Sequence, residues 1–266
     1  MKSKYLILFF SFTMTFLSSF MGNAQPIEPK ELLKKSDKAL ADIKTVVYKV
    51  DYKTKYLARK DTVRTTSVCS LYIAPKDKMN TYNIVDWEYS DDNFNNYGHR
   101  KYDGNRVLWV NYPIDSLNKD IKPEIYSNKR MRQSVVRNYS DVLLKEYFIQ
   151  KKPFTRYQSA SDKILVKEEV LKDTPVYVIT IAFKDQKDTT RDQVVKHYIR
   201  KSDFLPIAYY SFLRWENMEQ YNYYEVDYLA INPDIPLETF KVDENETINA
   251  KERYENFKEH LNNAMD

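Results

Sequence analysis

The 266-residue chain is poor in glycine, histidine and cysteine, with three, three and one of them. Gly22, Gly98 and Gly104 are too few and too far apart for a G-x-G-x-x-G turn or a Walker loop, which excludes a glycine-built phosphate cradle. A single cysteine, Cys69, excludes an internal disulfide and any CxxC site. With no second Cys and no basic cluster beside it, Cys69 reads as a small strand residue rather than a reactive thiol. His99, His197 and His260 are scattered, without H-x-x-x-H or H-E-x-x-H spacing, so no metal set is recognisable. No G-x-S-x-G occurs. Glu168 and Glu169 point to opposite faces of a strand, and Glu216 with Glu219 is the other near pair of carboxylates. The expectation is a non-enzymatic protein with no cofactor and no metal. Charge of one sign is also scarce: 42 Lys and Arg against 38 Asp and Glu give +4, or +2 without Lys2 and Lys4. That near-balance makes no electrostatic case for nucleic acid.

What is abundant is the aromatic ring, with 23 Tyr and 13 Phe in a chain that is 42 % hydrophobic. This is enough apolar material for a core, and Tyr favours strands while tolerating one wet end. Residues 1–24 read as an export signal. Lys2 and Lys4 precede an apolar run over 6–20, and Gly22-Asn23-Ala24 offers small residues for cleavage between Ala24 and Gln25. The run is Ser/Thr-rich and shorter than the ~20 residues of a membrane span, which argues against a retained anchor. No Cys follows it, so lipoprotein processing is not expected. Residues 25–266 are expected to be one soluble domain, in a periplasm or outside the cell.

Helical spacing over Pro29–Ile43 gives way to a period of two. In Thr45–Tyr56, Val46, Tyr48, Val50, Tyr52 and Tyr56 share a dry face, opposite Val47, Lys49, Asp51, Lys53 and Lys55. Strands are predicted over Thr62–Ala74, Met79–Trp87, Tyr97–Tyr102 and Arg106–Tyr112, with Asp103-Gly104-Asn105 as a tight hairpin turn. Residues 113–130 read as irregular and Gln133–Phe148 as a helix. Lys163–Leu171, Val176–Phe183, Arg191–Arg200, Phe204–Trp215 and Met218–Leu229 read as strands. Leu237–Val242 reads as a short extended segment, and Ala250–Ala264 as a charged terminal helix. A sheet this large must curl or close. The cluster Lys129-Arg130-Met131-Arg132 with Arg137 is read as a solvated helix start, with contact to anionic headgroups or an acidic partner as the alternative.

Val176–Phe183 is apolar on both faces: Tyr177, Ile179, Ile181 and Phe183 alternate with Val178 and Ala182. A mid-sheet strand between a helix and another layer explains this pattern, and so does the wall of a ligand cavity. An apolar wall of ~1,000 Å² left wet would forgo roughly 25 kcal/mol at ~25 cal/mol per Å², against a whole-domain stability of about 5–15 kcal/mol. Such a cavity must shrink, admit a helix or hold a lipid. The candidate wall is Tyr177, Ile179, Ile181 and Phe183, with Val46, Tyr48 and Val50 as a second set.

The order of segments resembles a known family. A helix ending at Ala39-Leu40-Ala41-Asp42-Ile43-Lys44 leads into the long Tyr/Lys strand from Thr45. Leu71-Tyr72-Ile73-Ala74-Pro75-Lys76-Asp77-Lys78-Met79 is a strand–Pro–basic–strand step, and Tyr102-Asp103-Gly104-Asn105-Arg106-Val107-Leu108-Trp109-Val110 an aromatic hairpin. His197 to Ile207 carries a basic–polar–Asp turn and Leu-Pro, and Tyr228 to Phe240 closes with Asn232-Pro233-Asp234-Ile235-Pro236. In this order the chain is similar, over roughly residues 28–242, to the outer-membrane lipoprotein-sorting carrier superfamily (LolA/LolB-like), in an exported Bacteroidetes-type form. The resemblance implies a mainly β (α+β) fold: a strongly bent antiparallel sheet forming a half-open β-barrel lidded by a few helices. It also implies a periplasmic carrier whose partner is a hydrophobic ligand, an acyl chain or a lipidated protein. Related modules act as envelope sensors or protein-interaction modules, so an envelope protein partner without bound lipid is the alternative. The departures are the polar stretch 113–128 and the terminal helix.

Overall fold

The computed structural model describes residues 27–57, 59–77, 79–127, 142–158, 163–183 and 191–263. Its strands are β1 (Thr45–Lys55), β2 (Val63–Ile73), β3 (Thr81–Ser90), β4 (Asn95–Tyr102), β5 (Arg106–Pro113), β6 (Glu124–Ser127), β7 (Lys163–Leu171), β8 (Thr174–Phe183), β9 (Arg191–Arg200), β10 (Pro206–Trp215) and β11 (Met218–Ile231). All eleven lie in one sheet, in the order β6-β5-β4-β3-β2-β1-β11-β10-β9-β8-β7. Every pairing is antiparallel. The fold is mainly β, and the sheet is not closed into a barrel.

The topology is two meanders, β1 to β6 and β7 to β11, sewn together by the pairing of the first strand with the last. Val46 lies opposite Ile231 and Lys55 opposite Tyr221, with one bulge between Val47 and Tyr48. Asn232 fixes this seam. Its side-chain oxygen accepts from the backbone N–H of Lys44 (2.7 Å) and Thr45 (3.3 Å), and its amide donates to the Asp42 carbonyl (3.2 Å). Asn232 takes φ +54° to do so, a conformation Asn tolerates better than most residues.

Two helices flank the sheet among the described residues. α1 (Pro29–Ala41) starts on a proline, whose missing N–H costs nothing there, and buries Leu32, Leu33 and Ser36. α2 (Ala250–Asn263) is capped by Asn249, whose side chain accepts from the Glu252 N–H at 3.1 Å. Its Ala250, Phe257 and Leu261 pack with Tyr97, Leu108 and Val110 on one face of the β4–β5 region. The opposite face, which includes Val46, Tyr48 and Val50, carries the main core. α1, which precedes β1, packs on that face, and residues 142–158 cross over it on the way from β6 to β7.

Several sequence expectations need adjustment. Residues 113–130 contain a short turn of 3₁₀ helix, Ile114–Ser116, and the edge strand β6. Leu237–Phe240 is a 3₁₀ turn rather than an extended segment, because Pro236 (φ −58°) begins a chain reversal closed by Thr239 N–H to Pro236 C=O at 3.0 Å. In the hairpin, the positive φ (+96°) falls on Gly104 alone, and the Asp103 carboxylate accepts from the N–H of Asn105 and Arg106. The helix expected over 133–148 falls largely outside the described residues. Its described end, 142–149, is a run of turns in which Leu144 takes φ +48°. The export signal and the basic cluster at 129–132 and 137 also lie outside the described residues.

Candidate functional site

The crossing segment is held to the sheet by polar contacts at both ends. Tyr48 Oη donates to the Val142 carbonyl at 2.9 Å, and Cys69 Sγ reaches the same oxygen at 3.4 Å. Burial pushes the Cys69 thiol up to about 12, so it is an inert structural donor. Asn80 donates its side-chain N–H to the Ile149 carbonyl at 2.7 Å. The Asp37 carboxylate of α1 accepts from the N–H of Phe154 (2.5 Å) and Thr155 (3.0 Å). His197, fully buried on β9, meets Tyr147 Oη at Nδ1 (2.9 Å) and Tyr157 Oη at Nε2 (3.2 Å). Burial pushes this imidazole down to about 3, so it is neutral at pH 7.

Beside this closed region the same face opens into a cavity of about 330 Å³. β1 contributes Tyr52, Thr54 and, just beyond it, Tyr56; β2 contributes Val63 and Thr65; β3 contributes Val85, Trp87 and Tyr89. β4 and β5 supply Asn96, Arg100, Trp109 and Asn111, and Val142 of the crossing segment bounds it. The walls follow from strand alternation, since Val85, Trp87 and Tyr89 are two apart and share a face. Trp87 and Trp109 form an indole corner, with ring centroids 4.9 Å apart and planes tilted by 50°. Gly98 makes that corner possible. It sits opposite Trp87 in the β3–β4 ladder, and a Cβ there would lie 2.0 Å from the Trp87 ring. Arg100, two residues on, is buried and supplies the cationic side chain of the wall. At the loop end, Tyr89 Oη donates to Asp91 Oδ2 at 2.9 Å. Asp91 is held below the usual carboxylate range, chiefly by the backbone N–H of Asn93.

Of the residues expected to form a wall, those whose side chains are described gather on this face and do not line the opening. Ile179, Ile181, Val46, Tyr48 and Val50 are fully buried in one cluster with Leu143, Tyr147 and Phe148 of the crossing segment. Tyr177 packs against that cluster and stacks on Phe204, with ring centroids 6.4 Å apart. Phe183 ends β8 opposite Gln193, and its side chain lies outside the described residues. The cavity begins where β1 continues past Val50, at Tyr52 and Thr54. Gly98 carried the missed signal: a glycine inside a strand marks a close approach. Arg100 gave none, since its strand neighbours are polar.

On the other face, a part-buried polar cluster holds α2. Asp86 accepts from Tyr97 Oη (2.6 Å), pairs with His99 Nδ1 (2.9 Å), and takes Arg253 through both oxygens at 3.2 Å. Burial pushes His99 down, against the pull of Asp86. No helix among the described residues is long and apolar enough to cross a membrane.

No protein-family model matches the sequence, and no curated protein matches it either. Solved structures with a similar outline include a DUF1329 family protein from Desulfovibrio piger, at 9 % identity and a TM-score of 0.31, covering 80 % of this chain and 95 % of that one. MucB is similar at 12 % identity and 0.39, with 82 % of this chain and 63 % of MucB covered. A LolA superfamily protein from Nitrosomonas europaea is similar at 11 % identity and 0.24, with 82 % and 99 % covered. The likeness to a LolA superfamily protein is one of outline at low identity.

Proposed function

We propose that the chain is an exported, non-enzymatic carrier that holds a hydrophobic ligand, an acyl chain free or attached to a lipidated protein, in the cavity beside Val142. The observation that carries this reading is the indole-walled space that Gly98 keeps open on the inner face of the sheet. A cavity of this size sits at the lower end of ligand pockets, and its aromatic and aliphatic walls offer an acyl chain what water does not. Arg100 gives the wall one cation, which suits an acidic head or a carbonyl. The buried group Ile179, Ile181, Val46, Tyr48 and Val50 continues the same face inward. An acyl chain reaches it only by displacing residues 142–158.

The test uses the indoles themselves. Trp87 and Trp109 line the cavity, whereas Trp215 is 46 % exposed. In a Trp215→Phe protein, titration with decanoate is expected to shift the emission of the remaining indoles saturably, and Trp87→Phe to reduce that shift. Emission unchanged at saturating fatty acid, together with a protein that co-purifies in stoichiometric amount, would replace the carrier by an envelope interaction module.

A further inference from the structure

The two edges of the sheet are unlike. β6 is four residues long and pairs with β5 along all four. β7 is nine residues long, its register with β8 runs unbroken from Lys163 to Leu171, and no strand among the described residues pairs with its outer side. Such an edge presents a row of backbone donors and acceptors, and proteins usually blunt it with proline, a bulge, brevity or charge. β7 has no proline, no bulge and full length, and its charges, Lys167, Glu168 and Glu169, are of both signs and can pair with those of an identical strand. It also displays apolar side chains: Val170 is 68 % exposed and Leu165 44 %.

We propose that β7 pairs antiparallel with β7 of a second copy, about a two-fold axis at Glu168. Identical antiparallel strands must place residues of one face opposite residues of the same face, which restricts the axis to a residue position. An axis at Lys167 sets Lys167 against itself, Val166 against Glu168 and Leu165 against Glu169. An axis at Val166 sets Leu165 against Lys167, and one at Glu169 sets Lys167 against Leu171. Only the axis at Glu168 is complementary. It sets Lys167 against Glu169, Val166 against Val170 and Leu165 against Leu171, each twice by symmetry. The like charges it brings together at the axis, the two Glu168 carboxylates, are each already bound by Lys201 Nζ of their own chain at 2.5 Å. The dimer joins two eleven-stranded sheets edge to edge and leaves the cavity, on the β1–β5 half, untouched.

Sedimentation equilibrium of the chain without residues 1–24 tests this, with Lys167→Glu, Glu169→Lys and the double exchange. Both positions are exposed on an edge strand, so the variants fold. A concentration-dependent dimer is expected. Each single reversal replaces two attractive cross-strand pairs by two repulsive ones and weakens the dimer about tenfold or more. The double exchange restores it, and a mixture of the two single variants forms the heterodimer. Amide exchange along 163–171 slows in step with dimer formation. A chain that stays monomeric at high micromolar concentration overturns the proposal. So does a dimer indifferent to both reversals, or protection of β7 that requires a different protein.

Discussion

Ligand affinity should depend on acyl length with a break set by the cavity. A methylene takes up about the volume share of a water, ~30 Å³, so 330 Å³ accommodates roughly eleven carbons. Each buried methylene contributes ~0.8 kcal/mol, about a fourfold gain in affinity. Eleven give roughly 9 kcal/mol gross, and the loss of translational and rotational freedom removes at least about 4 of it. The net, about 5 kcal/mol, corresponds to a dissociation constant on the order of 0.1 mM before any contribution from the head group. Calorimetric titration with saturated fatty acids from hexanoate to hexadecanoate, below their micellar concentrations, reads the slope and the break directly. Affinity is expected to climb about fourfold per carbon and to flatten near eleven, where further chain must displace 142–158. Val85→Phe should move the break roughly two carbons shorter by filling the wall. A flat series, or one that climbs without a break to hexadecanoate, would refute the assignment of this cavity as the site.

Gly98→Ala forces the Trp87 ring off the strand; it should cost about 1–3 kcal/mol in urea unfolding and abolish the fatty-acid response of the indoles, whereas a variant of native stability and binding would show the close approach to be immaterial. Stability should fall as the pH drops below 6.5. His197 is held at about 3 in the fold, below its ordinary unfolded value, so the unfolded chain binds the extra proton and the folded one does not. That contribution is present above about pH 6.5 and drains away toward pH 3, by roughly 2 kcal/mol on reaching pH 5. His99, also held down, adds to it, while Glu146 and Asp86, held below the usual carboxylate range, act only at lower pH. His197→Gln should therefore reduce the slope of unfolding free energy between pH 6.5 and 5 without abolishing it, and an unchanged slope counts against a neutral buried imidazole. Asn232→Ala removes both acceptor bonds and one donor bond from the β1–β11 seam and puts φ +54° on alanine; a loss of about 2–3 kcal/mol is expected in the same assay, with Asn232→Asp milder.

The strands were legible because alternation records burial directly. Val46, Tyr48, Val50 and Tyr52 are all buried on the inner face, as their spacing required. The pairing of β1 with β11 was not legible, since alternation names a face and not a neighbour. His99 and Arg100 look like surface residues in Tyr97-Gly98-His99-Arg100-Lys101-Tyr102, yet both are buried. His99 is covered because Arg253, far along the chain, comes back with α2 to meet Asp86. The wall residues chosen from the apolar strand Val176–Phe183 show the same gap. Their hydrophobicity marks the inner face, but whether a given stretch is capped or open depends on where residues 142–158 cross. That crossing is set by Tyr48, Asp37 and His197 together, each at least forty residues away from its partners in the segment. The trace of the open part was a single glycine.

The carrier reading stands on one property, occupancy by a hydrophobic ligand. Native mass spectrometry of the chain purified from the cells that make it, followed by organic extraction, reads that occupancy. A stoichiometric acyl-containing mass is expected, retained through purification by contacts of the head group or attached protein beyond the ~0.1 mM of the acyl chain alone, or restored by added decanoate, and lost from the Gly98→Ala protein. A clean unliganded mass, with no uptake of added fatty acid, would contradict it.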